Sequence, residues 1–163
     1  MKTFEELKED LLERAKKHHA CQDGYSMGLN AKSKQDLLKA ITDNWYWVLS
    51  TFKMIDANYL EKNFTEEELT EAGIYTRKEH TSNAKSFACG SATVKAYGSA
   101  TVEACGSATV EAYDSATVKA YDNSYVEDYT KNINTVSDHG IVKDYYNHKI
   151  YIKKGKFEII EIE

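Results

Sequence analysis

Residues 91–122 read Ser-Ala-Thr-Val-Lys-Ala-Tyr-Gly, Ser-Ala-Thr-Val-Glu-Ala-Cys-Gly, Ser-Ala-Thr-Val-Glu-Ala-Tyr-Asp and Ser-Ala-Thr-Val-Lys-Ala-Tyr-Asp. The period is eight. Within each octad, positions two, four and six are Ala, Val and Ala, while positions three, five and seven are Thr, a charged residue, and Tyr or Cys. Small apolar side chains alternating with larger polar ones give the period of a strand with one dry face. Gly-Ser and Asp-Ser between the runs supply the turns.

Two arrangements of such strands compete, and the alternation separates them. In an antiparallel meander with two-residue turns, position seven of one strand faces position two of the next, which mixes Ala and Val with Lys and Glu on both faces. A solenoid stacks equivalent octads in parallel register and keeps the apolar positions inside. The solenoid is therefore expected.

Residues one coil apart become neighbours at about 4.8 Å, so the number of octads per coil is readable from the columns. At a sixteen-residue step, position seven sorts into Cys89, Cys105 and Tyr121 in one column and Tyr97, Tyr113, Tyr129 and Tyr145 in another. The same step places Lys95 beside Glu111, Glu103 beside Lys119 and Glu127 beside Lys143, with Glu111 beside Glu127 as its one like-charged contact. A twenty-four-residue step loses the sorting and pairs Lys95 with Lys119 and Glu103 with Glu127, and like charges on adjacent strands are unfavourable. Two octads per coil fit better. The array over 83–154 then holds nine octads.

Upstream the periodicity becomes helical. Thr3 and Glu6 form a capping-box pair before Phe4, Leu7, Leu11, Leu12 and Ala15, and Ser33 precedes the stripe Leu37, Leu38, Ile41, Trp45, Val48, Leu49 and Phe52. The polar stretch 22–32 reads as an interruption between these helices. Trp45 belongs to the stripe, whereas Trp47 sits two positions off it and is free to pack elsewhere. Tyr59, Leu60 and Phe64 suggest a short helix, Thr65 with Glu68 opens another, and Gly73 reads as its stop. The expected fold is α+β: a small N-terminal helical bundle over 1–80, then a two-sided parallel β-solenoid of octads at sixteen residues per coil over 81–163. The helices should cover one end. The bulky C-terminal segment with Ile150, Ile152, Phe157, Ile159, Ile160 and Ile162 should cap the other or pair across a homodimer.

The 163 residues carry a net charge of −5, twelve tyrosines, three cysteines and no proline. A generally basic nucleic-acid binder and a disulfide scaffold are both excluded by these counts. With that acidic balance direct nucleic-acid binding is not expected, and because neither half is a strong polyanion, mimicry of nucleic acid is weaker than plain occlusion. The opening segment shows no signal peptide, and a cytoplasmic protein is expected. Catalytic motifs are lacking: there is no phosphate loop, no His-Glu-x-x-His and no nucleophile elbow. An enzyme is not expected, and no cofactor is. His18, His19 and Cys21 have the residue types of a metal site but read as a solvated helix end. Cys89 and Cys105 read as small side chains filling a column otherwise held by Tyr, and the Thr93–Thr109 and Thr101–Thr117 pairs lack the flat double row of an ice-binding face. The candidate partner-binding surface is the column Tyr97, Tyr113, Tyr129 and Tyr145 with Tyr125 alongside, together with Trp47.

The leader, with Asn-Trp-Tyr-Trp at 44–47 and Glu-Glu-Glu-Leu-Thr-Glu-Ala-Gly-Ile-Tyr at 66–75, followed by Ser-Ala-Thr-Val-x-Ala-Tyr octads, resembles a family of small proteins in phages and mobile elements of gut bacteria. The resemblance implies a bacterial host cytoplasm and a protein partner, foremost a host defence nuclease complex that an anti-CRISPR-like inhibitor would occlude. A structural or assembly protein of the phage or element is the alternative.

Overall fold

The computed structural model describes residues 1–51, 53–132 and 134–162. Among the described residues eleven strands form two sheets, one ordered β1 (Ile74–Tyr75), β3 (Lys85–Ala88), β5 (Thr101–Ala104), β7 (Thr117–Ala120), β9 (Thr135–Val136), the other β11 (Lys149–Ile152), β10 (Ile141–Asp144), β8 (Tyr125–Asp128), β6 (Thr109–Ala112), β4 (Thr93–Ala96), β2 (Glu79–Ser82). Alternate strands lie in opposite walls, as a two-sided coil requires. Every pairing is parallel except β10 (Ile141–Asp144) with β11 (Lys149–Ile152). The register is sixteen residues throughout the regular octads: β4 (Thr93–Ala96) sets Val94 against Val110 of β6 (Thr109–Ala112), which sets it against Val126 of β8 (Tyr125–Asp128).

The interior is what the octad dictates. Val94, Val102, Val110, Val118, Val126 and Val142 are buried between the walls with the alanines of positions two and six. Each buried valine contributes about 1.5–3 kcal/mol. At position eight the chain turns with a left-handed residue: Gly90, Gly98 and Gly106 first, then Asp114, Asp122 and Asp138. Aspartate is tolerated there because its carboxylate is occupied. Asp114 accepts from the Gly98 amide at 2.9 Å and Asp122 from the Gly106 amide at 3.3 Å, each one coil earlier.

The irregular C-terminal octads hold register by substitution. Asp128 and Asp144 stand at position six where Ala is usual, and both are buried. Asp128 accepts from the Thr130 amide at 2.8 Å and the Asn134 side chain at 2.5 Å. Asp144 takes both the backbone and side-chain N–H of Asn147 at 2.8 Å. Burial pushes the Asp144 pKa up, but these donors outweigh it and hold the carboxyl below its ordinary value. Asn134 in turn accepts from the Val118 amide at 2.7 Å, and Asn132 donates to the Ser115 carbonyl at 2.7 Å. Side-chain amides thus stand in for backbone where the repeat has decayed.

Both capping boxes form, opening α1 (Phe4–Lys17) and α5 (Glu66–Glu71), and Ser33 caps α3 (Lys34–Asp43). Two sequence expectations need correction. The stretch 22–32 contains a helix, α2 (Gln22–Asn30), capped by the Cys21 sulfur and carrying no buried residue. Its two glycines and unusual cap hide it. The stripe after Ser33 is also not one α-helix: α3 ends at Asp43 and a π-helical turn follows over Tyr46–Thr51. Phe52, read as the end of that stripe, lies outside the described residues. Parallel pairing begins upstream of residue 83 and within the segment 1–80 read as helical, because β1 (Ile74–Tyr75) pairs with β3 (Lys85–Ala88) and β2 (Glu79–Ser82) with β4.

The helices also do more than cover one end. Trp45, Leu49, Ile55 and Phe64 share one buried cluster with Phe87, Cys89, Cys105 and Tyr121 of the coil. Trp45 meets the Phe87 ring at 4.9 Å and Tyr46 the Tyr121 ring at 4.5 Å. The wide π-helical turn brings Ser50 within 3.2 Å of Asp122. The bundle therefore lies along the turns that carry the Cys89–Cys105–Tyr121 column.

Candidate functional site

The two position-seven columns differ in cover: Cys89, Cys105 and Tyr121 lie under the helical bundle, and the tyrosine column lies on the other side. Cys89 and Cys105 lie in turns leading from the first wall to the second and are buried beneath the bundle as free thiols. Contact with Cys89, then burial, pushes the Cys105 thiol pKa up. Such a thiol is inert at neutral pH. Tyr97, Tyr113, Tyr129 and Tyr145 lie in the opposite turns, where no helix packs.

These four rings stack in sequence. Their centroids are 4.9, 5.1 and 4.7 Å apart and their planes are within 9° of parallel. Tyr97 and Tyr129 are 38% and 42% exposed. Each ring face is covered by its neighbour, so along most of the column the ring edges are what a partner meets.

The adjacent position-five column explains how the like-charged step is tolerated. Register confirms the order Lys95, Glu111, Glu127, Lys143, with the two glutamates side by side. Tyr113 donates to Glu111 at 2.7 Å. Tyr129, Tyr125 and Tyr145 donate to Glu127 at 3.1, 3.3 and 3.5 Å. Phenol donors and flanking lysines offset the repulsion. Reciprocally, the hydrogen bond to Glu111, then burial, pushes Tyr113 up to about 12. Burial, followed by the hydrogen bond to Glu127, raises the Tyr129 pKa as well. Lys143 also lies over the Tyr145 ring at 4.5 Å.

The fold brings Tyr97, Tyr113, Tyr125, Tyr129 and Tyr145 onto one face. Tyr125, at position three of its octad and first in β8, sits between Thr109 and Ile141 of the neighbouring strands. No family model, curated protein or solved structure matches the chain. Trp47 stands apart from this face. It packs on the helical core and lines a cavity of about 190 Å³ with Leu11, Tyr25 and Met54.

On the tyrosine face the hydroxyls of Tyr113, Tyr125, Tyr129 and Tyr145 are engaged by Glu111 and Glu127, so the face is a row of ring edges beside a charge-balanced column. His18, His19 and Cys21 do not form a metal cluster, and among the described residues no group of three or more His, Cys, Asp or Glu side chains is placed to hold a metal. No described helix is long and apolar enough to cross a membrane. The residue that sequence reasoning underweighted is Glu127. Its signal was present, since a glutamate beside a glutamate and flanked by three tyrosines calls for donors.

Proposed function

We propose that the chain is a non-enzymatic protein-binding factor that occludes a partner stoichiometrically through the tyrosine face. One observation carries the reading: four parallel, stacked rings, with Tyr97 and Tyr129 exposed and Tyr113 and Tyr145 half-buried, stand on turns that the helical bundle leaves uncovered. Side chains already immobilised in a ladder lose little further entropy on binding, which favours their use as anchors. The resemblance to phage and mobile-element proteins makes a bacterial host defence nuclease complex the first partner to test, with anti-CRISPR-like inhibition as the outcome. Occlusion suits the near-neutral face better than mimicry of a polyanion does.

Titration of the purified chain into such a complex should give saturable binding at fixed stoichiometry. Tyr113→Ala/Tyr129→Ala should weaken it by at least about tenfold while the far-UV signal is retained. Equal binding by wild type and the double variant would remove the face from the account. The alternative, a structural or assembly protein, is favoured by the open strand edge at the C-terminal end. Its signature would be particle mass that grows without limit as concentration rises.

A further inference from the structure

The two ends of the coil are treated differently. At the N-terminal end, Phe64, between α4 (Ala57–Asn63) and α5, and Leu69 of α5 share a buried cluster with Ile74 of β1, and Lys78 holds Glu66 at 2.6 Å. Helix α5 covers β1 at that end, while the outer edge of β2 carries no partner strand among the described residues. At the C-terminal end, β11 is the last strand of its sheet, and its outer edge has no partner strand among the described residues. An open edge is a template for pairing.

The chain beyond β11 is built to use it. Lys156 donates to the Lys153 carbonyl at 3.3 Å, with Gly155 left-handed, so the chain turns back. Residues 157–162 then run outside any strand. Phe157 meets His139 edge-on at 5.8 Å, but Ile159, Ile160 and Ile162 are 76%, 74% and 90% exposed. Tyr146, Ile150 and Tyr151 are exposed beside them, which gathers most of the large exposed apolar side chains of the described chain at this end. A patch of that kind marks an association surface. Its charges have direction as well. Lys149, Lys153, Lys154 and Lys156 come first, then Glu158 and Glu161.

We infer that this end is a homodimer interface, in which the β11 edge and residues 157–162 of one copy lie antiparallel to the same segment of a second copy about a two-fold axis. A second copy fits for three reasons. Antiparallel apposition sets the basic half of one segment against the acidic half of the other. The isologous contact closes, because it uses the same surface on both copies. The exposed apolar side chains gather at this end, whereas at the other end Ile74 of β1 is buried with Phe64 and Leu69, so the apolar surface matches itself and not the opposite end. The inference is independent of what the tyrosine face binds.

Sedimentation of the full chain tests it. Wild type should run at twice the chain mass, and Ile159→Lys/Ile162→Lys should be monomeric, its dissociation constant raised at least about 100-fold, with the far-UV signal unchanged. Lys153→Glu/Lys154→Glu and Glu158→Lys/Glu161→Lys should each self-associate about tenfold more weakly, and mixing the two should restore a dimer. A monomeric wild type at about 100 μM overturns the inference. So does mass rising past the dimer, an undiminished dimer in the Ile→Lys variant, or a charge-swapped mixture that stays monomeric.

Discussion

At the scale of single residues, the tyrosine face depends on which protonation state its hydrogen bonds favour. Tyr113 donates to a carboxylate, so the folded state favours the neutral phenol and raises its pKa from 10.0 to about 12. The sign follows from linkage. A raised folded pKa contributes stability that is fully present below pH 10 and is lost as pH rises through about 12. Glu111→Gln removes the charged acceptor, and the Tyr113 titration should move down toward 10. Tyrosinate absorbance against pH, read as a difference between wild type and variant, measures this. Superimposable curves would show that Glu111 does not set the Tyr113 proton affinity. The same substitution removes the Glu111–Glu127 repulsion, so neutral-pH stability should change little.

At the scale of elements, the question is why a repeat that writes Tyr at position seven writes Cys at 89 and 105. Both thiols are buried, against Leu49 of the π-helical turn and the chain leading into α4 (Ala57–Asn63). Cys105→Tyr restores the consensus octad, yet it should destabilise by about 1–3 kcal/mol through overpacking. Tyr113→Cys, on the uncovered side, should leave the bundle undisturbed. Urea unfolding of the two variants measures the contrast, and equal midpoints would mean that the helices do not seat on this column. This element pair also marks where sequence reading stops. The sixteen-residue step, the strand faces and the tyrosine ladder follow from side chains that repeat locally, so they are legible in order along the chain. That Cys89, Cys105 and Tyr121 sort into their own column is legible too, but its cause lies about forty or more residues away, in a turn that no periodicity announces. Helix α2 was hidden for a related reason: it is capped by a cysteine, contains Gly24 and Gly28, and buries nothing, so its stability comes from packing on α1 and α3 rather than from its own pattern.

At the scale of the whole molecule, the shared cluster decides whether bundle and coil are two folding units or one. The helices contribute Leu7, Leu38, Trp45 and Leu60 to it, and the coil contributes Phe87, Cys89, Cys105 and Tyr121. A bundle of five short helices is too small to bury a large core unaided. It borrows one wall from the solenoid. The solenoid gains in turn, because β1 and the Cys89–Cys105 turns would otherwise lie uncovered. Repeat arrays otherwise lose cooperativity with length, since each coil contacts only its neighbours. Here the bundle touches successive coils at Phe87, Cys105 and Tyr121 and should couple them. The two tryptophans both lie in the helical segment, so tryptophan fluorescence reports the bundle while far-UV circular dichroism also reports the sheets. In a urea titration the two transitions should coincide, and Trp45→Ala should lower both midpoints together, at a cost of about 3–5 kcal/mol. A fluorescence transition that precedes the loss of sheet signal would show instead that the coil stands alone, and the cover over its cysteine column would then be an attachment rather than part of its core.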